Sequence, residues 1–157
     1  MKRIFLPIAI DVSNAKILIV GGGQTALKKI KILQRSGVNP EVIAEKITTG
    51  IPALGITCRQ KSYEKDDLTG CLMVYSCTNN EHLDEQIAIH AREAGVLVNV
   101  HDNPELCQFV SPAIYRAGNI SIAVSSNAEN VQESIRIRNL IQNLIENQKI
   151  NKEWKTS

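Results

Sequence analysis

The sequence has no block of like charges and no long apolar run. Lys and Arg total 18 against 16 Asp and Glu, so the formal net charge is +2. Nucleic-acid-binding domains usually concentrate basic residues in a patch, so no nucleic-acid partner is expected. A membrane-spanning helix needs about 18 consecutive apolar residues, which this chain does not offer, so a soluble protein without membrane contact is predicted.

The N-terminus lacks the features of a secretory signal. Its apolar run covers only residues 4–10, contains Pro7 and stops at Asp11. This segment is interpreted as part of the mature protein, and a cytoplasmic location is expected.

Pairs of metal-ligating or disulfide-forming residues are also missing. The four cysteines are Cys58, Cys71, Cys77 and Cys107. None of them forms a CxxC motif, and three of the four lie in apolar, strand-like stretches. Reduced thiols are therefore expected, with neither disulfides nor a metal site. The chain has no Ser-His-Asp order and no P-loop, which argues against hydrolases and kinases.

What the sequence does contain is an alternation of strands and helices. A β-branched run at residues 16–20 leads into three glycines, a helical pattern at 24–35 and a second strand at 41–44. Further strands are predicted at 56–59, 72–77 and 96–100, with a helix at 81–93. With 157 residues and 43% hydrophobic residues, the chain is predicted to be an α/β protein. Residues 1–103 form its Rossmann-like, doubly wound parallel sheet.

The pattern changes after Asn103. Apolar stretches at residues 109–115 and 119–125 flank Gly118 and predict a β-hairpin. A long helix is predicted at 128–149, with an apolar stripe formed by Val131, Ile135, Leu140, Ile141, Leu144 and Ile145. Residues 104–150 are therefore predicted to be a hairpin and helix segment that forms a homodimer, and 151–157 a polar tail.

Residues 21–26 read Gly-Gly-Gly-Gln-Thr-Ala and fit the GxGxx(G/A) fingerprint between a strand and a helix. Gly21 permits the tight turn, Gly22 lies within it, and Gly23 lets a pyrophosphate approach the backbone. Glu45 follows at the end of the second strand, where an acid binds ribose hydroxyls and favours NAD over NADP. The neighbouring Lys46 weakens this preference for NAD. The alternative is that the glycines only make a tight turn.

Asp102 is the candidate catalytic base, with His101 beside it. It lies in the polar stretch 99–104, which leaves a predicted strand at the carboxyl edge of the sheet, where ligands bind. The alternative is structural: Asn103 caps a helix with Pro104 at its first position, and Asp102 is a first-turn acid. Similarly, one of residues 125–127 is expected to cap the long helix, while a role as a substrate ligand stays open.

Taken together, these residues resemble the precorrin-2 dehydrogenases, the dehydrogenase and ferrochelatase part of siroheme synthase. The resemblance covers residues 6 to 144 and depends on five stretches: 6–8, 17–23 with Ala26, 99–102, 109–114 and 122–126. It implies a homodimer that uses NAD to oxidise precorrin-2 to sirohydrochlorin, sometimes followed by iron insertion.

The resemblance also implies roles for individual residues. Asp102 matches the family's functional aspartate, and Ser126 matches its serine at the substrate pocket. Asn99, in the same polar stretch as Asp102, is expected to bind the substrate as well. The cofactor contacts match Gln24, Thr25, Glu45 and Lys46.

The sequence departs from the family at several positions. Asn79-Asn80 replaces a pair of aspartates, Asn127-Ala128 replaces a pair of glycines, and His101 replaces a small apolar residue. Family members usually continue into a helical domain, so a short form is expected. The alternative function is a non-catalytic, NAD-sensing or tetrapyrrole-binding dimer.

Overall fold

The computed structural model describes residues 3–147, which form two compact units. One unit comprises residues 9–109, and the other comprises residues 3–8 and 110–147. The boundary thus lies after Phe109, whereas the sequence places it after Asn103. Residues 104–109 join the first unit because Gln108 N donates to Val98 O at 2.8 Å and the Phe109 ring packs edge-on against Tyr75.

The first unit contains a five-stranded parallel sheet, which confirms the predicted Rossmann-like fold. Its strands are β1 (Lys16–Val20), β2 (Glu41–Ala44), β3 (Cys58–Gln60), β4 (Cys71–Ser76) and β5 (Leu97–Val100). Their order across the sheet is β3-β2-β1-β4-β5. The direction of winding therefore reverses between β1 and β4, and in such sheets ligands bind at the carboxyl side of this reversal.

Two helices connect the strands of this sheet. Helix α1 (Gln24–Gln34) links β1 to β2, and α2 (Glu81–Glu93) links β4 to β5. Since parallel crossovers are right-handed and these two run in opposite directions along the sheet, the helices cover opposite faces. The other connections contain only short 3₁₀ turns at Pro52–Leu54, Lys65–Leu68 and Pro104–Leu106.

Strand β1 is the centre of the core. Ile17 and Ile19 pack in one cluster with Ala26 and Ile30 of α1. Successive side chains of a strand point to opposite faces, so the buried Leu18 and Val20 belong to the other face. This explains why β1 is an apolar run rather than an alternating one.

Strand β3 begins two residues later than predicted. The expected strand covered residues 56–59, but Ile56 precedes the strand while its side chain is only 7% exposed in the core. An apolar residue that is buried from a loop looks, in the sequence, like the beginning of a strand. Helix α2 matches its predicted range of 81–93.

The second unit contains the predicted β-hairpin, formed by β6 (Ala113–Ala117) and β7 (Ile120–Val124) in antiparallel pairing. Gly118 turns between them with φ of 59°. The first strand begins after Pro112, because proline cannot donate a backbone hydrogen bond to a ladder.

The long helix α3 covers Val131–Asn147 and so begins three residues later than predicted. Asn127 and Ala128 have left-handed φ angles of 53° and 64°, which an α-helix does not accommodate. The expectation that a residue of 125–127 caps the helix is wrong: Asn130 Oδ1 accepts from Glu133 N at 3.0 Å. The predicted end at residue 149 and the tail 151–157 lie outside the described residues.

The four cysteines are free thiols, as expected. Cys77 and Cys107 are buried, while Cys58 and Cys71 are half-buried. Desolvation raises the pKa of the Cys77 thiol to about 11, which keeps it protonated at neutral pH. Across residues 3–147, no helix has the length and apolar character required to span a bilayer.

An ion-pair network fastens the outer edge of the sheet. Asp67 is 5% exposed and accepts from Arg59 at 2.9 Å, from Lys61 at 3.2 Å and from Glu64 N at 2.8 Å. Arg59, on β3, also pairs with Glu41 on β2. Burial by itself raises the pKa of Asp67, but the Glu64 hydrogen bond and the two cations outweigh burial and hold that pKa below its ordinary value.

We expect Asp67→Asn to lower the free energy of unfolding by about 1 to 3 kcal/mol at neutral pH, because the half-buried Arg59 and Lys61 lose the charge of their buried partner. The pKa of Asp67 is lowered by folding, so its contribution is present above the ordinary aspartate range near ~3.9. It is lost as pH falls through that range to the lowered folded pKa. Chemical denaturation between neutral and acid pH measures this. Asp66→Asn, at an exposed neighbour in the same turn, is the control, and an equal loss in both variants would contradict the assignment.

Candidate functional site at the carboxyl edge of the sheet

The glycine turn after β1 is packed against two other strand ends. Gly21 has φ of 123°, and a Cβ there would collide with the carbonyl group of Cys77 after β4. A Cβ on Gly22 would collide with the carbonyl oxygen of Lys46 after β2. Both positions therefore require glycine for close backbone approach. The requirement at Gly22 was not visible in the fingerprint, in which that position is variable.

Gly23 has a different environment. Apart from Gly23 itself and its neighbours along the chain, no atom in the described part of the chain lies within 4 Å of the position that a Cβ would take. Gly23 is also the N-cap of α1, no side chain caps that helix, and its first turn has no acidic residue. The first backbone N–H groups and the positive end of the helix dipole thus face open space beside Gln24 and Thr25. This arrangement fits a dinucleotide pyrophosphate.

Glu45 lies directly after β2, where the fingerprint needs an acid. The side chain is exposed, and Glu45 Oε1 accepts from Ser62 Oγ at 2.6 Å. The backbone carbonyl of Glu45 also accepts from Gln60 Nε2 at 3.0 Å. These two bonds fix the acid at the end of β2. Lys46 is likewise exposed, so an acid and a base stand side by side at this edge.

A cavity of about 270 Å³ lies on the other side of the reversal point, at the ends of β4 and β5. Its lining is polar and consists of Thr78, Asn79, Glu81, Asp84, His101, Asp102 and Asn103. Two of these residues, Asn79 and Asp102, have left-handed φ angles of 57° and 58°. Such strained, non-glycine residues concentrate at functional sites.

Asp102 is exposed at this cavity, and its Oδ2 lies 3.2 Å from His101 Nε2. The structural alternative is confirmed for Asn103 and Pro104, but not for the place of Asp102 in the turn. Asn103 does occupy the N-cap position with Pro104 next to it, but the following helix is a single 3₁₀ turn whose only first-turn acid is Glu105. The Asn103 side chain makes no capping hydrogen bond. Asp102 therefore lies before the turn, outside the helix.

Asn99 and Cys107 hold the loop that carries Asp102. Asn99 is 8% exposed, and its amide donates to Phe109 O at 2.9 Å. The Cys107 sulfur accepts from Val100 N at 3.1 Å and lies 3.3 Å from the carbonyl oxygen of Asn103. Asn99 thus has a scaffolding role in the structure, and its assignment as a substrate ligand stays a prediction.

Sequence reasoning missed the acidic side of the cavity. Asp84 of α2 is 9% exposed, and its Oδ1 accepts from Ser76 Oγ at 2.5 Å and from Thr78 Oγ1 at 2.7 Å. The sequence did offer a signal for this side of the cavity: the hydroxyl residues Ser76 and Thr78 lie at and just after the end of β4, next to the reversal point of the sheet. In residues 3–147, no three His, Cys, Asp or Glu side chains are grouped so as to hold a metal ion.

Ser126 lies in the other unit, directly after β7. Its Oγ accepts from Asn130 N at 3.0 Å, and its carbonyl oxygen accepts from Glu129 N at 2.9 Å. These bonds make Ser126 part of the turn that leads into α3. The neighbouring Asn127 fixes the N-terminal segment, because its Oδ1 accepts from Phe5 N at 3.2 Å.

A parallel sheet of order 3-2-1-4-5 with a glycine turn between β1 and α1 defines a Rossmann-type dinucleotide-binding protein. Comparison with known proteins agrees with this class. The chain belongs to the NAD_binding_7 family, described as "Putative NAD(P)-binding", whose profile matches residues 8–113.

Several relatives are siroheme synthases. The chain is 34% identical over 129 residues to the siroheme synthase of Stutzerimonas stutzeri, a match that covers 80% of this chain and 28% of that protein. Identity to the siroheme synthase of Nitrosococcus oceani is also 34%, over 78% of this chain and 27% of that protein. The chain therefore spans under a third of the length of these relatives.

A solved structure shares the fold. It is "SirC, precorrin-2 dehydrogenase", with a TM-score of 0.73 and 23% sequence identity over 87% of this chain and 69% of that chain.

We expect Gly23→Val to weaken NAD binding by at least about tenfold while the protein stays folded. The valine occupies the open space that the pyrophosphate needs, and Gly23 has an ordinary φ of −91°. Titration calorimetry and thermal melting on the same sample measure both effects. Gly21→Val is the matched control and should lower the melting temperature instead. Unchanged NAD affinity in folded Gly23→Val would remove the cofactor assignment.

Proposed function

We propose that this protein is an NAD-dependent dehydrogenase of siroheme biosynthesis that oxidises precorrin-2 to sirohydrochlorin, with Asp102 as the base. The observation that supports it most strongly is the arrangement of the carboxyl edge. An anion-binding glycine turn follows β1, and an exposed carboxylate follows β5, with the reversal point of the sheet between them. The similarity to siroheme synthases makes precorrin-2 the preferred substrate.

In this proposal, residues 21–25 hold the pyrophosphate of NAD through backbone N–H groups, and Glu45 binds the adenosine ribose with Lys46 beside it. NAD supplies an acceptor for the hydride that leaves the substrate. The oxidation removes one hydride and one proton from the macrocycle. The proton therefore needs a base at the same edge of the sheet.

Asp102 is the side chain that meets this need. Its carboxylate is 88% exposed beside the cavity, so a substrate can reach it without rearrangement of the loop. A base within hydrogen-bond reach of the proton contributes about 10² to 10⁴ in rate. Ser126 and Asn99 are retained as proposed substrate contacts. Iron insertion is not part of this proposal.

We expect Asp102→Asn to lower kcat for precorrin-2 oxidation by about a hundredfold or more, with NAD affinity and melting temperature unchanged. Asparagine keeps the shape of the side chain and tolerates the left-handed backbone, but it cannot accept the proton. Absorbance of NADH measures turnover, and calorimetry measures NAD binding.

Glu105→Gln is the matched control, since it removes the same charge from the turn directly after Asp102 and should keep full activity. Retained turnover in Asp102→Asn would refute the role of Asp102. A wild-type protein that binds NAD and a tetrapyrrole without any turnover would instead support the alternative, a non-catalytic NAD-sensing or tetrapyrrole-binding dimer.

A homodimer is the second part of the proposal. The predicted apolar stripe of α3 divides in the structure: Ile145 is buried, whereas Leu140 and Leu144 are 48% and 56% exposed. Leu140 and Leu144 are four residues apart, and the half-buried Ile137 precedes Leu140 by three, so these residues lie on one side of the helix. Exposed apolar surface of this kind is typical of subunit contacts.

We expect wild-type protein to have a mass of twice 17.3 kDa in solution, and we expect Leu140→Glu/Leu144→Glu to shift it to the monomer, because two charges cannot be buried against a second copy without partners. Multi-angle light scattering measures the mass. Gln132→Glu/Asn139→Glu adds the same charge at exposed positions of α3 that are neither three nor four residues from Ile137, Leu140 or Leu144, and should leave the dimer intact. A monomeric wild-type protein at micromolar concentration would refute the dimer.

A further inference from the structure

His101 is placed where it can control Asp102. Its backbone N–H donates to Ser76 O at 2.9 Å, which fixes the residue at the end of β5 beside the end of β4. Its Nε2 then lies 3.2 Å from Asp102 Oδ2. The imidazole itself is 42% exposed and is not part of the hydrophobic core.

Asp102 needs such a partner more than most catalytic carboxylates do. Its side chain is 88% exposed, so protein packing does little to select one rotamer. Its φ of 58° also places it in a region that aspartate visits only at special positions. Proton transfer requires the base to lie within hydrogen-bond distance and in the right direction.

The rest of the cavity offers no comparable cation. Glu81 and Asp84 face it from α2, and Asp84 Oδ1 already accepts from the hydroxyls of Ser76 and Thr78. None of the seven lining residues is Lys or Arg, and His101 is the one among them that can carry a positive charge. The cationic partner available to Asp102 in this acidic surrounding is thus its own neighbour in the chain.

We propose that His101 is the positioning residue of Asp102. Its Nε2 lies at ion-pair distance from Asp102 Oδ2, 3.2 Å. A hydrogen bond from Nε2–H, formed by rotation of the exposed imidazole, holds the carboxylate in one rotamer, so that Oδ1 is left to accept the proton of the substrate. This inference depends on the proposed role of Asp102 for its effect on turnover. The restraint on the Asp102 rotamer does not depend on that role and can be measured separately.

The direct test is the side-chain rotamer of Asp102, obtained from NMR three-bond couplings in the NAD-bound protein. We expect one χ1 rotamer in wild type, averaging in His101→Ala, and a single rotamer again in His101→Gln, whose amide can donate in place of the imidazole. His82→Ala removes an exposed imidazole from α2 and is the control, with no change expected. An unaltered single rotamer in His101→Ala would overturn the proposal.

The second test is kinetic. We expect His101→Ala to lower kcat by between about tenfold and a hundredfold with KM for NAD unchanged, and His101→Gln to restore most of the loss. In the Asp102→Asn variant, adding His101→Ala should not lower kcat further, because the two residues act as one unit. Full kcat in His101→Ala, alongside an inactive Asp102→Asn, would overturn the inference but not the proposed function. Absence of turnover in wild type would refute the proposed function, and the rotamer measurement would then decide on His101.

Discussion

The close approach of three strand ends at the glycine turn is the constraint on which the rest of the structure depends. Gly21 N donates to Ile43 O, Thr48 N donates to Gly22 O, and Cys77 N donates to Val20 O, all at 2.8 to 2.9 Å. These bonds join β1 to β2 on one side and to β4 on the other, and side chains at positions 21 and 22 would break them apart. The turn therefore sets both the reversal point and the start of α1.

The carboxyl edge of the sheet is divided into two regions of different chemistry. On the β1 and β2 side, backbone N–H groups at Gly23 and the start of α1 present partial positive charge, with no acid in the first helical turn. On the β4 and β5 side, Asp84 and Asp102 give the cavity an acidic lining. The proposed sites of anion binding and of proton acceptance thus lie at neighbouring but separate places on the same edge of the sheet.

At two places where the sequence departs from the family it resembles, positions 127–128 and position 101, the structure shows the physical consequence. The resemblance to precorrin-2 dehydrogenases implies paired glycines at positions 127 and 128. Both positions have left-handed φ here, so Asn127 and Ala128 adopt a backbone that glycine takes without strain. Asparagine tolerates this conformation better than alanine does, and Asn127 also gains a hydrogen bond from Phe5 N. At the other position, His101 places an imidazole nitrogen 3.2 Å from Asp102 Oδ2, which a small apolar residue cannot do.

The sequence by itself determined the βαβ unit, the glycine turn and the position of Glu45. Each of these depends on local spacing: β-branched runs, 3.6-residue periodicity and glycines at fixed intervals. Only the tertiary structure decided that Asp84 joins Asp102 at one cavity, that Asn99 and Cys107 fasten its loop, and that α3 begins at Val131. Those features arise where strand ends distant in sequence meet, or where the backbone adopts a conformation that its residues do not prefer. The local sequence pattern therefore cannot predict these features.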